Sequence, residues 1–180
     1  VDPFKGSVEL RDLYDSNGSV GVVFYGADRN DWSGWSVASA GDVNNDGYND
    51  VLIGAYRANG PNNMRGNYTG ECYLIWGWNP SEYSMGGSVD LSSIHTGNGS
   101  IGVVFYGAQS ADQSGYSVAS AGDINNDGYE DVLIGAPYAD GPNNVRSGAG
   151  ETYLIWGWNT SEYSIGGSVD LSDIHIGNGS

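Results

Sequence analysis

The sequence predicts an all-β protein made of two copies of one multi-strand unit, and three observations carry that prediction. The chain has 30 glycines, 12% aromatic residues and no long apolar stripe at helical spacing, which favours many short strands joined by tight turns. Short apolar runs rich in β-branched residues recur along it and end at glycine, as buried strands do. Most tellingly, residues 20–55 match residues 101–136 at 28 of 36 positions, an offset of 81. One deletion between Pro137 and Gly150 reduces the offset to 80, so Glu71 answers Glu151 and His95 answers His175. The two units divide at 1–99 and 100–180. Repeats of this length belong to solenoids, propellers or arrays, whose units bury their faces only against neighbours.

Four strand signals recur within a unit. The first, Gly-Tyr-Ser-Val-Ala-Ser-Ala-Gly at 115–122 (34–41 in the first unit), has small side chains that let neighbouring backbones approach, which suits a crowded inner position. Asp-Val-Leu-Ile-Gly-Ala at 131–136 and Thr-Tyr-Leu-Ile-Trp-Gly-Trp at 152–158 follow. The latter alternates Tyr153 and Ile155 against Leu154, Trp156 and Trp158, so both faces are apolar, as a sheet sandwiched between others requires. Gly-Val-Val-Phe-Tyr-Gly at 102–107 (21–26 in the first unit) is the fourth, ahead of the inner strand of the next unit.

Between the first and second strands lies a nine-residue acidic loop: Asp-Val-Asn-Asn-Asp-Gly-Tyr-Asn-Asp at 42–50 and Asp-Ile-Asn-Asn-Asp-Gly-Tyr-Glu-Asp at 123–131. Side-chain oxygens at positions 1, 3, 5 and 9 with glycine at 6 are what a chain needs to fold around one hard cation. The first loop offers Asp42, Asn44, Asp46 and Asp50, with the Tyr48 carbonyl as a fifth oxygen. The second offers Asp123, Asn125, Asp127, Asp131 and the Tyr129 carbonyl. Gly47 and Gly128 allow the bend between them, since positive φ costs glycine nothing. Three carboxylates in one bend repel each other without a cation, whereas an ordinary polar turn needs only one. Two Ca²⁺ sites are therefore expected. An EF-hand opens similarly but requires Glu at position 12 and flanking helices; here position 12 is Ile53 or Ile134.

At 115–137 and 34–56, with Glu-Thr-Tyr-Leu-Ile-Trp-Gly following the second stretch, the chain resembles the FG-GAP repeat family, the blades of integrin α-subunit β-propellers and their bacterial relatives. The resemblance implies four-stranded antiparallel blades with Ca²⁺ held in the loop between the first two strands. There are departures: the name-giving Phe-Gly is Gly-Trp or Gly-Tyr, Tyr56 stands where the family has Pro, and the units are longer than a typical blade. The extra length lies in residues 139–150 and in a Gly-Ser-Val-Asp-Leu-Ser segment. Strand counting then gives an orphan fourth strand at 20–26, one complete blade over about 33–107, and three strands of another over about 114–158. An open sheet edge invites pairing. The expectation is a slice of a larger propeller, or copies joined head to tail with the 20–26 strand completing the open sheet of the next by β-augmentation.

Composition bounds the partners. A net charge of −16, still −12 after two divalent ions bind (−16 + 4), argues against nucleic acid and anionic membranes. No apolar run reaches the ~20 residues of a membrane span. No signal-type segment precedes Val1, and the chain does not open on Met, which suggests a mature or excised segment. Cys72 aligns with Thr152, so it reads as a small, partly buried thiol rather than half of an internal disulfide. Sequons stand at Asn17, Asn67, Asn98, Asn159 and Asn178; three share an Asn-Gly-Ser that serves equally as a turn. His95 and His175 lie on polar stretches without Cys or a second His nearby, which reads as a surface or strand-end role. Asp28, Asp31 and Asp112 read as solvated turn residues, with added cation contacts as the alternative. Most of the six Trp fall in repeated strand patterns and pack between blades, Trp32 being the best exception because Gln113 replaces it in the second unit. No nucleophile elbow or triad is present, so no enzyme is expected. The leading reading is an extracellular or cell-surface, Ca²⁺-binding structural repeat assembling with further blades or copies of itself. The alternative is an adhesion or recognition head for a protein or glycan, using the divergent loops 27–33 and 57–70.

Overall fold

The computed structural model describes residues 10–13, 21–79, 87–160 and 167–175. Ten strands follow in order: β1 Val23–Tyr25, β2 Ser36–Gly41, β3 Asp50–Ala55, β4 Glu71–Ile75, β5 Ser88–Asp90, β6 Gly102–Tyr106, β7 Ser117–Gly122, β8 Asp131–Ala136, β9 Glu151–Ile155 and β10 Ser168–Asp170. Two single-turn helices, α1 Ser92–His95 and α2 Leu171–His175, come directly after β5 and β10. Strands β2, β3, β4 and β6 form one antiparallel sheet in that order, and β7, β8 and β9 repeat its first three members. All four strand signals therefore form as the sequence predicts, including the fourth strand that joins the sheet after an excursion. The Gly-Ser-Val-Glu stretch at 6–9 and the sequons at Asn17 and Asn178 lie outside the described residues.

The excursion contains what the sequence reading missed. Segments taken there as extra length form β5 and β10, and each pairs in parallel with an outer strand: β5 with β1, β10 with β6. The strand at 20–26 is thus not an orphan, since Val23, Phe24 and Tyr25 lie opposite Ser88, Val89 and Asp90. In each unit the segment that follows the third strand clasps an earlier outer strand, β5 on β1 and β10 on β6, and in the first unit the chain then adds its own fourth strand, β6. The three-residue strands are held by side chains as well as by the ladder. Val89 and Leu91 turn inward and are buried, and the Asp90 carboxylate accepts the Ser92 N–H at 2.9 Å and its hydroxyl at 2.6 Å, starting α1. Asp170 repeats this with Ser172.

Period-2 alternation gives the first sheet two apolar faces. Leu52, Cys72, Leu74, Val103 and Phe105 pack with Val132, Ile134, Tyr153 and Ile155 of the second sheet. On the other face Ile53, Tyr73, Ile75, Val104 and Tyr106 pack against Leu91 and Ile94, with Phe24 of β1 beside them. Cys72 is wholly buried rather than partly so, and burial pushes its thiol pKa far up. The small inner strands do bring the sheets together: a Cβ on Gly54 would stand 2.1 Å from the Gly115 carbonyl oxygen, and the Ser36 hydroxyl donates to that same oxygen at 2.8 Å. Strand β4 is buried along its whole length, whereas β9, which has no strand on its far side among the described residues, is only half so.

Candidate metal centre

Each acidic loop closes the β2–β3 or β7–β8 hairpin, and its polar side chains wrap inward onto backbone amides. In the first loop the Asp46 N–H is shared by Asp42 Oδ1 at 2.9 Å and Asn44 Oδ1 at 3.0 Å, which brings those two oxygens to one point. Asp42 Oδ2 accepts the Gly47 N–H, Asp46 Oδ1 accepts the Tyr48 N–H, and Asn44 Nδ2 donates to Asp46 Oδ2, all at 2.9 Å. Gly47 takes φ 92°, as a bend through positive φ demands. The second loop reproduces this bond for bond through Asp123, Asn125, Asp127, Gly128 and Tyr129.

Position 9 differs from the rest. Asp50 is 1% exposed and caps two backbone groups, accepting the Val43 N–H at 2.9 Å and the Gly77 N–H at 2.7 Å. Asp131 does the same for Ile124 and Gly157, both at 2.9 Å. Burial pushes the Asp50 carboxyl up to about 6, against the pull of the Gly77 and Val43 amides and with the charges of Asp46 and Asp42 adding to the rise. Among the described residues no three His, Cys, Asp or Glu side chains are already grouped closely enough to hold a metal.

The donor chemistry nevertheless fits a hard cation. A carboxylate has about four lone-pair sites, and each oxygen named here spends one on an amide. All the donors are oxygen, the ligand type that Ca²⁺ takes, and the bonds within the loop offset its negative charge with amides alone. Asp42, Asn44 and Asp46 stand together on the turn, Asp50 lies behind them at the strand end, and the Tyr48 amide is part of the same bend.

A second polar centre lies at the start of β4, and sequence reasoning missed it. Glu71 is 1% exposed, the Tyr73 hydroxyl donates to its Oε2, and His95 Nε2 approaches that hydroxyl at 2.9 Å and Glu71 Oε2 at 3.2 Å. His95 is therefore no surface residue: its side chain is 8% exposed, and its ring stacks on Tyr73 at 5.8 Å. Burial draws the imidazole pKa down, but the hydrogen bond and charge of Glu71, helped by Asp28 and Asp31, outweigh it and the net shift is upward. Asp31 and Asp112 are likewise buried rather than solvated. Burial first, and then the Glu71 charge, pushes Asp31 up to about 6. The signal available in sequence was the Glu-x-Tyr that opens the third strand in both units.

The loops before β2 and after β3 gather an aromatic cluster. Trp35 lies 5.1 Å from Tyr56 and 5.9 Å from Tyr116 of the second unit, and the Arg57 guanidinium sits 3.8 Å over the Trp32 ring. Trp32 is exposed, as its loop position implies, but so are Trp35 and Trp156; against the expectation that most tryptophans pack between blades, Trp76 alone of the six is buried.

A family model described as FG-GAP repeat matches residues 33–75 and 114–155, the segments that run from before the inner strand, through the acidic loop, to the third strand. Both units are FG-GAP repeats. Their sheets are accordingly β-propeller blades, four strands across in the complete one. The chain is 32% identical to Integrin alpha-PS2 of Drosophila melanogaster over 128 residues, 71% of this chain and 8% of that protein. It is 34% identical to Integrin alpha pat-2 of Caenorhabditis elegans, over 70% of the chain and 9% of the relative. It is also 30% identical to Phosphatidylinositol-glycan-specific phospholipase D of Bos taurus, over 77% and 15%. The chain thus spans less than a sixth of the length of these relatives. The matched FG-GAP segments enclose both acidic loops and Glu71, while His95, β5, β6 and β10 lie outside them.

Proposed function

We propose that this chain is an extracellular or cell-surface, calcium-binding structural module whose FG-GAP blades stack face to face into a larger propeller, array or fibre. Asp42, Asn44, Asp46, Asp50 and the Tyr48 carbonyl hold one Ca²⁺. Asp123, Asn125, Asp127, Asp131 and the Tyr129 carbonyl hold another. The observation that carries this reading is the position of the first loop at the blade junction: the Asp42 carbonyl accepts the Glu130 N–H at 3.2 Å and the Val43 carbonyl accepts the Trp158 N–H at 3.0 Å. An ion that stiffens the loop therefore stiffens the joint between sheets. The face of the second blade equivalent to the one the first buries stays accessible, with Trp156 49% exposed where Trp76 is 8%. That face and the far edge of β9 receive the next blade, whose fourth strand of the Gly-Val-Val-Phe-Tyr-Gly type comes from further repeats of the same protein or from another copy. The repeat boundaries at 99/100 mark the unit of assembly. The relatives' names and the charge of −16 support the location and speak against nucleic acid as a partner. Electron microscopy and sedimentation with and without chelator test the reading, and particles that stay monomeric and unchanged in both states would overturn it.

A second reading, an adhesion or recognition surface for a protein or glycan, is favoured by the aromatic cluster. Trp32 presents an accessible ring from the divergent loop 27–33, and Trp35 and Tyr116, at equivalent positions just before the inner strands, present theirs beside it. Substituting these three and measuring adhesion to extracellular-matrix proteins and glycans separates the two readings.

A further inference from the structure

A cavity of about 510 Å³ opens beside the first acidic loop where the two units meet, lined by Asp46, Trp76, Trp78, Asn98, Ser100 and Thr160. It is distinct from the aromatic cluster, and it borders the first acidic loop, whose Asn44 and Asp46 form one side of it. We infer that this cavity binds a neutral pyranose sugar. Trp76 forms a fixed wall: its indole Nε1 donates to the Gly99 carbonyl at 2.7 Å, and its ring meets Trp158 edge-on at 5.6 Å. Trp78 beside it is half-buried. Indole faces stack on the apolar C–H faces of sugar rings as they do on other flat groups, with the polar groups left at the edge. Those edge groups find partners here. Asn98 spends its carbonyl oxygen on the Ser100 N–H at 3.2 Å, which leaves its amide Nδ2 to donate, and Ser100 and Thr160 bring hydroxyls that both donate and accept. Asp46 supplies an acceptor.

The lining also discriminates between ligands. Among the described residues no Lys, Arg or His lines the cavity, and the chain carries −16, so phosphates, nucleotides and acidic glycans are repelled. A lipid would leave the amide and hydroxyls unpaired. A lysine or arginine side chain would satisfy Asp46 and the indoles, but not the three donors. Two sources carry sugar chemistry to this place: a free glycan, and one attached to Asn98 itself, whose Asn-Gly-Ser is an acceptor sequence for N-linked sugar.

The test uses the full chain from a host without N-glycosylation, titrated with methyl glycosides of glucose, galactose, mannose and N-acetylglucosamine while indole NMR signals are followed. At least one glycoside is expected to saturate the Trp76 and Trp78 signals. Trp78→Ala should weaken it by about tenfold or more, with Asn98→Asp, on the exposed loop, as a second variant that keeps the fold. Val145→Ala, exposed and outside both the cavity lining and the aromatic cluster, should leave binding unchanged. In parallel, chain from an N-glycosylating host is examined for a glycan at Asn98 that shields Trp78 from an acrylamide quencher until it is enzymatically removed. Saturation by a glycoside assigns a free ligand, and shielding assigns the attached one. If no glycoside binds and Asn98 carries no shielding glycan, the inference is overturned. It is equally overturned if a lysine-rich peptide moves the same indoles while sugars do not. Calorimetric calcium uptake is read separately, so failure of the cation assignment leaves this result standing.

Discussion

The Val43 carbonyl, in the acidic loop of the first blade, accepts the Trp158 N–H just past the third strand of the second blade. A local turn is thereby part of a contact between sheets, and order in the one bears on the other. Chelation is therefore expected to lower the melting temperature of the whole two-blade body. At free Ca²⁺ 100 times Kd a site contributes about 2.7 kcal/mol, which for a body of this size corresponds to a fall of roughly 5–10 °C per site. Differential scanning calorimetry with Ca²⁺ and with EGTA checks this, and two binding events by titration calorimetry are expected beside it. Coincident melting curves would remove the cation from the account.

The close approach of the blades yields a paired prediction. A methyl on Gly54 meets the Gly115 carbonyl of the opposite blade at 2.1 Å, a backbone atom that cannot move alone. The equivalent Gly135 would meet the Ser117 hydroxyl at 2.3 Å, the end of a side chain that can rotate. Gly54→Ala is expected to cost about 3 kcal/mol or more, and Gly135→Ala about 1. Urea unfolding of the two variants side by side decides it. Equal costs would mean the inter-blade contact is not close in solution.

What the sequence made legible was local or repeated. The acidic loops declare themselves by oxygen spacing within nine residues, and the four blade strands by runs that occur twice. Strands β5 and β10 escaped because three residues of Ser-Val-Asp carry too little periodicity, and their pairing with β1 and β6 joins segments far apart in the chain. The His95, Glu71 and Tyr73 centre escaped for a related reason. A lone histidine in a polar stretch looks solvated until a single turn of helix places it over β4 and β6 of the first sheet. Asp31 misled similarly, since its burial depends on the loop folding over the start of β4.

That polar centre makes stability depend on pH. His95 is held above its ordinary value in the folded chain, so its contribution is fully present below the unfolded pKa near 6.5 and is lost as pH rises through the folded value. Asp31, raised to about 6 from 3.8, binds its proton more tightly when folded, so stability falls further as pH climbs between those values. Both act in one direction. With Ca²⁺ saturating, the melting temperature should decline from about pH 5 to pH 8, and His95→Gln should flatten the upper part of that decline. An unchanged slope in the variant would show that His95 does not titrate across this range.

Asp50 and Asp46 belong to one loop, yet their losses should differ in how much they cost without calcium. Asp50 is buried and accepts the Val43 and Gly77 amides, so Asp50→Ala leaves two buried donors without partners at about 1–3 kcal/mol each. That cost does not need an ion, and it should appear in full in EGTA. Asp46 is exposed, and its partners Asn44 Nδ2 and the Tyr48 N–H can turn to water. Asp46→Ala should therefore cost well under 1 kcal/mol in EGTA, and its penalty should emerge only when Ca²⁺ is added, because the variant fails to gain the stabilisation that the ion confers. Chemical denaturation of both variants in the two buffers separates cap from ligand. If Asp46→Ala were as damaging in EGTA as in calcium, its carboxylate would be a structural turn former, and the ion would have to be held by the remaining oxygens.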